Sequence, residues 1–130
     1  MALFSKKNLR KSLLEERTIR YEADSKIHTK WIIDYAESHV FSNGKGTIVL
    51  KEGTAEIGNF AFDRCSGLTS ISIPDSVTKI GVCAFDGCSG LTSITIPNSV
   101  TKIGDRAFKW CSGLADDVRV MIKSINPDAL

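Results

Sequence analysis

The side chains best suited to chemistry in this 130-residue chain are four cysteines and two histidines. Cys83-x4-Cys88 has the form of half a zinc site, but zinc takes four ligands, usually as two such pairs, and the sequence holds no second pair. Cys65, Cys88 and Cys111 recur every 23 residues, which predicts a stacked column of buried, inert thiols, because free cysteine is among the most buried residue types. In an oxidising compartment, adjacent members of that column could approach disulfide distance. His28 and His39 are too far apart to ligate one ion from adjacent helical turns and read as packing or hydrogen-bonding groups. No phosphate-binding glycine loop, nucleophile elbow, HExxH or calcium-loop pattern occurs, and the acidic residues are scattered. The expectation is a protein with no catalytic residues, no cofactor, no metal and no small-molecule substrate.

The cysteines belong to a wider repeat. Ile57, Ile80 and Ile103 align, as do Phe62, Phe85 and Phe108, and Leu68, Leu91 and Leu114. A fixed period between about 20 and 50 residues marks a solenoid whose copies bury their cores only by stacking. Within a copy, Leu68-x-x-Ile71-x-Ile73-x-x-Ser76 has leucine-rich-repeat spacing. Ser70 to Ile73 alternates, predicting a short strand with Ile inward and Ser outward, and Pro74 ends it. Ala61 to Cys65 would cross the far side as a helical turn, with Ser66-Gly67 bending back. A half copy precedes the first, with Ile48 and Leu50 in the places of Ile71 and Ile73, and a third copy stops after Leu114.

The phrase I-G-x-x-A-F-x-x-C-S-G-L-T-S-I-x-I-P-x-S-V-T, from Ile57 and again from Ile80, resembles the BspA-like leucine-rich repeats of bacterial and protozoan proteins over residues 47 to 114. That resemblance implies adhesion and protein binding, the roles of long secreted or surface-anchored members.

The fold expected is an α/β solenoid: about three stacked leucine-rich repeats over 46–115, an N-terminal helical segment and cap over 1–45, and a C-terminal helical cap over 116–130. Ile27, Trp31, Ile32, Tyr35, Ala36 and Val40 follow helical spacing, predicting a helix from Lys26 to Val40, capped by Asp24 or Ser25 and ended by Asn43-Gly44. Ser5 to Glu22 also reads as helical. Leu114, Val118, Met121, Ile122 and Ile125 predict a last helix, with Asp116 and Asp117 at its positive end, Lys123 near its negative end, and Asn126-Pro127 as its stop.

Net charge is +2, with nine Lys/Arg against six Asp/Glu in residues 1–46. The start lacks the apolar run of a signal peptide, and no stretch approaches the roughly 18 apolar residues of a membrane span. The expected location is therefore cytoplasmic, with free thiols and no membrane partner.

A protein partner is the leading expectation. Its candidate contacts are the outward rows Thr47/Ser70/Ser93 and Val49/Ser72/Thr95, together with Arg106 and Trp110. The latter two belong to the positions that vary between copies, Phe60/Cys83/Arg106 and Arg64/Gly87/Trp110. A second expectation is nucleic-acid binding by Lys6, Arg10 and Arg17 beside Lys7 and Lys11, weakened by Glu15, Glu16 and Glu22 and by the lack of aromatic residues for stacking. A third is a mobile-element or phage-type inhibitor that occupies a host enzyme's surface.

Overall fold

A computed structural model describes residues 5–130, the side chain of Lys7 apart. The elements in chain order are α1 (Lys6–Glu15), β1 (Thr18–Ala23), α2 (Lys30–Tyr35), β2 (Ala36–Ser42), β3 (Lys45–Leu50), β4 (Glu56–Ile57), β5 (Leu68–Ser72), β6 (Lys79–Ile80), β7 (Ser93–Thr95), β8 (Lys102–Ile103) and α3 (Asp116–Ile125). Two sheets result, one ordered β2-β3-β1-β5-β7 and one β4-β6-β8.

The 23-residue period becomes parallel register. Ile71 pairs with Ile94, Ile57 with Ile80, and Ile80 with Ile103. Between the sheets lies a ladder of offset-stacked rings: Phe62 to Phe85 and Phe85 to Phe108 have centroids 5.1 Å apart and planes within 5°. That spacing is close to the roughly 4.8 Å between adjacent strands, so each ring rests on its counterpart in the next coil. Trp31 extends the ladder at its first end, tilted 5.7 Å from Phe62. Gly81 and Gly104 permit the close approach: a Cβ on Gly81 would lie 2.7 Å from the Asn59 nitrogen, and one on Gly104 2.5 Å from the Val82 nitrogen.

The far side of each coil departs from the expected helical turn. Phe60 and Arg64 have φ of 60° and 59°, and their counterparts Cys83, Gly87, Arg106 and Trp110 are likewise left-handed. The reason lies in backbone hydrogen bonding, because every buried N–H needs an acceptor. The N–H groups of Ala61, Asp63 and Cys65 donate within the coil, to Gly58, Phe60 and Phe62. Those of Phe60, Phe62 and Arg64 donate along the axis, to Val82, Ala84 and Asp86 of the next coil. A helical turn would direct all of them inward and leave the neighbouring coil's carbonyls unpaired.

The N-terminal part differs most from expectation. The predicted Lys26–Val40 helix is only α2, capped by the Thr29 hydroxyl, which accepts from the Ile32 N–H at 3.2 Å. Ala36 to Ser42 instead forms β2, joined to β3 through Asn43 and Gly44 at φ 52° and 78°. Two left-handed residues make the tight turn that matches strand twist, so Asn-Gly here closes a hairpin rather than a helix. Ile27, Trp31 and Ile32 are buried as the apolar pattern requires, whereas Val40 is 63% exposed. Asp24 caps nothing: its side chain rests against Gly67.

The expected helix from Ser5 to Glu22 also stops early, at Glu15, and Thr18 to Ala23 forms β1. Ile19, Tyr21 and Ala23 are buried and Arg20 and Glu22 exposed, the period of a strand. Strand β1 runs antiparallel between β3 and β5. Ile48 and Leu50 are buried as supposed, but their strand lies one place away from the repeat ladder.

Helix α3 begins at Asp116 and buries Ile122. The tail beyond it supplies the acceptors a further coil would provide. The Arg106 and Phe108 N–H groups donate to Asp128 and Ala129 at 2.9 and 2.7 Å, as Cys83 and Phe85 donate to Asp105 and Ala107. The Gly81 and Gly104 N–H groups donate to Ile57 and Ile80. The next position is Pro127, which has no N–H, and the Asn126 side-chain Nδ2 reaches the Ile103 carbonyl instead, at 2.9 Å.

Candidate binding surfaces

Insertion of β1 rearranges the outward rows. Opposite residues in a sheet share a face, so the register places Val40, Thr47, Arg20, Ser72 and Thr95 in one row. A second row runs Ser42, Lys45, Glu22, Ser70, Ser93. The expected direct adjacency of Thr47 to Ser70 and of Val49 to Ser72 is corrected, because β1 separates the strands and introduces Arg20 and Glu22. Ser93 and Thr95 are exposed, Ser70 and Ser72 half-buried. The face thus combines small hydroxyls with unpaired charges of both signs, able to meet the backbone and polar side chains of another chain.

On the far side, the varying positions form a ridge. Trp110 is 70% exposed and Phe60 57% exposed, both held at positive φ, and the Lys109 ammonium lies 5.4 Å from the Trp110 ring centroid. Arg106 is exposed beside them, but Cys83, the middle residue of its column, is buried. That column therefore offers individuality at its ends alone. Non-glycine residues rarely occupy this backbone region, and sequence patterning gives almost no sign of it, since only Gly87 of the six has the residue type expected there.

The N-terminal cations divide. Lys6 and Arg10 are exposed on α1. Arg17 is held in place: its Nη1 donates to the Leu50 carbonyl at 2.7 Å and pairs with Glu37 at 3.4 Å. It braces α1 and β1 against the hairpin.

The thiols are structural groups. Cys88 and Cys111 are buried as predicted and donate to the Phe62 and Phe85 carbonyls at 3.1 Å, whereas Cys65, at the first coil, is only half-buried and turns to the Asp63 carbonyl; all four cysteines are free. Burial, with a smaller contribution from the Asp63 carboxylate, pushes the Cys65 thiol up to about 11. Contact with the Cys111 sulfur, then burial, holds the Cys88 thiol above its ordinary range. Neither is an activated nucleophile at neutral pH. Among the described residues, no three His, Cys, Asp or Glu side chains converge as a metal site.

His28 is exposed, whereas His39 is half-buried with its Nε2 2.6 Å from the Tyr21 hydroxyl. That hydroxyl also accepts the Ile27 N–H at 3.2 Å, so Tyr21 ties β1 both to His39 and to the segment that precedes α2. The Tyr21 ring fills the space above Gly46 and stacks on Phe41, so the contact anchors the hairpin to β1. Burial, with the positive Lys26 and then His28 nearby, lowers the His39 pKa. The unfolded chain then binds more protons than the folded one once pH falls below the ordinary value of 6.5. Stability should be full above that value and decline as pH drops toward the folded-state pKa. Urea midpoints at pH 7.5 and pH 5 should differ more for the native protein than for His39→Gln; equal differences would remove His39 from the account.

A family model for the BspA type leucine rich repeat region (6 copies) matches residues 31–129. The chain belongs to that family. Solved structures similar to it are a leucine-rich repeat protein of T. pallidum (38% identity, TM-score 0.48, 51% of this chain and 32% of that one) and a leucine-rich cell surface protein of Faecalibacterium prausnitzii (36%, TM-score 0.44, 59% and 20%). A third is a leucine-rich repeat protein of Bacteroides ovatus (30%, TM-score 0.40, 47% and 22%). The chain thus spans about a third or less of the length of each. No curated protein matches it in sequence. No helix among the described residues is long and apolar enough to cross a membrane.

Proposed function

We propose that the chain is a non-catalytic protein-binding module, a short solenoid closed by Trp31 and the N-terminal hairpin at one end and by α3 and its tail at the other. Its partner lies across the outer face of the five-stranded sheet. The observation that carries this reading is the pair of cross-sheet rows, in which the hydroxyls of Ser70, Ser72, Ser93 and Thr95 have no hydrogen-bond partner among the described residues and adjoin unpaired Arg20, Glu22 and Lys45. Hydroxyls and charges on a rigid, repeat-built face can exchange water for the polar groups of a protein surface. The compartment proposed is the cytoplasm, where free thiols such as these persist.

Affinity capture from the native host, followed by mass spectrometry, tests the reading. The double variant Ser72→Glu/Thr95→Glu adds bulk and negative charge to the outer face, and the new carboxylate at position 72 lies opposite Arg20, so the fold should be kept. It should lose the partner that the native chain and Trp110→Ala both retain. Retention by the double variant, or loss with Trp110→Ala alone, would move the interface to the far-side ridge.

A further inference from the structure

Thr18 is buried although it lies on the solvent-facing side of β1, where Arg20 and Glu22 are exposed. Helix α1 folds over it, and the Thr18 hydroxyl donates to the Leu14 carbonyl at 2.5 Å. Between the helix and the sheet this leaves a cleft of about 590 Å³. Arg10, Lys11 and Arg20 line it against a single carboxylate, Glu15, with Leu14 and Val49 as its apolar surface. None of the three cations has an ion-pair partner among the described residues, where the two pairs are Arg17–Glu37 and Lys30–Asp34. Through Arg20 and Thr47 the cleft continues into a smaller depression of about 340 Å³ that reaches Ser70 and Ser72 on the outer rows.

We propose that this cleft takes an acidic, extended peptide segment of the partner protein. The inference rests on the outer-face reading above and specifies its ligand chemistry. Three unpaired cations around one carboxylate favour an anionic ligand. The apolar strip of Leu14 and Val49 suits aliphatic side chains between the acids, and the strand rows that continue the cleft suit an extended backbone. A nucleic acid fits less well: no aromatic ring lines the cleft between helix and sheet for base stacking, and its Leu14–Val49 strip offers bases no ring to stack on.

The test is fluorescence polarisation of the full chain with a labelled peptide of alternating Glu and Leu, a matched peptide with Gln for every Glu, and a single-stranded DNA oligonucleotide of similar length. The acidic peptide should bind, weaken as salt rises, and bind on the order of tenfold tighter than the Gln peptide. Arg20→Gln should weaken it about threefold, and the triple variant Arg10→Gln/Lys11→Gln/Arg20→Gln by about tenfold or more, with unchanged circular dichroism. The control Lys102→Gln/Lys109→Gln should bind as the native chain does. Failure of the native chain to bind, equal binding of the Gln peptide, an undiminished triple variant, or displacement of the peptide by tighter-binding oligonucleotide would each overturn the proposal. Should that happen while Ser72→Glu/Thr95→Glu still abolishes partner capture, the outer-face reading stands and only the acidic ligand is lost. Should capture ignore the double variant while the acidic peptide still binds through these cations, the outer-face reading fails and the cleft stands alone.

Discussion

Phe85→Ala lowers unfolding stability by about 3–5 kcal/mol, more than Phe108→Ala, in a denaturant titration followed by circular dichroism. Phe85 is fully buried and stacks on a ring at each face, 5.1 Å from both. Its removal leaves a void that the coils cannot close, because ladder bonds such as Phe62 to Ala84 and Phe85 to Ala107 on either side fix their spacing. Phe108 has one stacked neighbour ring, and the tail beyond it can move inward, so its site relaxes better. Small domains retain only about 5–15 kcal/mol in total, so the Phe85 variant should be visibly destabilised at ambient temperature. A loss below about 1.5 kcal/mol would mean that the ring ladder does not organise the core.

Gly81→Ala should be at least as damaging through the opposite defect. The added Cβ meets the carbonyl carbon of Gly58 at 2.8 Å and the nitrogen of Asn59 at 2.7 Å. Both are backbone atoms, so no rotamer change relieves the clash. The coils must separate, breaking the 2.8 Å bond from the Gly81 N–H to Ile57 and straining its neighbours. Overpacking of this kind costs about 1–3 kcal/mol when side chains can yield, and the backbone contact places this variant above that range. Gly53→Ala is the informative comparison: Gly53 has φ +86° but open space around it, so it should lose only the roughly 1–2 kcal/mol of a left-handed alanine. Thermal melts in which the two variants match would contradict close coil stacking.

The repeats were legible because the copies align without gaps and a parallel ladder preserves sequence offset as register. Helix α3 was legible for a related reason: Asp117 falls where Ile71 and Ile94 sit, and an acid at an inward position ends the strand pattern. The N-terminal part was ambiguous on physical grounds. Tyr35, Ala36 and Val40 satisfy helical spacing, while Ser38 to Ser42 pairs as a strand, and the deciding feature, Asn43-Gly44, serves both as a helix stop and as a hairpin turn. Placement of β1 beside β5 depends on pairing Tyr21 with Ile71, a contact between distant segments that no local pattern encodes. The outer rows shifted for that reason, and so Arg20 escaped notice: its neighbours on the sheet are set by the insertion, not by the repeat.

The most direct test of the binding account is an amide chemical-shift map of the isotope-labelled chain titrated with its captured partner. The account predicts shifts concentrated in residues 8–15, 18–23, 45–49, 70–72 and 93–95, with Arg20, Ser72 and Thr95 among the largest. Shifts confined to Phe60, Arg64, Arg106 and Trp110, with the sheet unmoved, would contradict it.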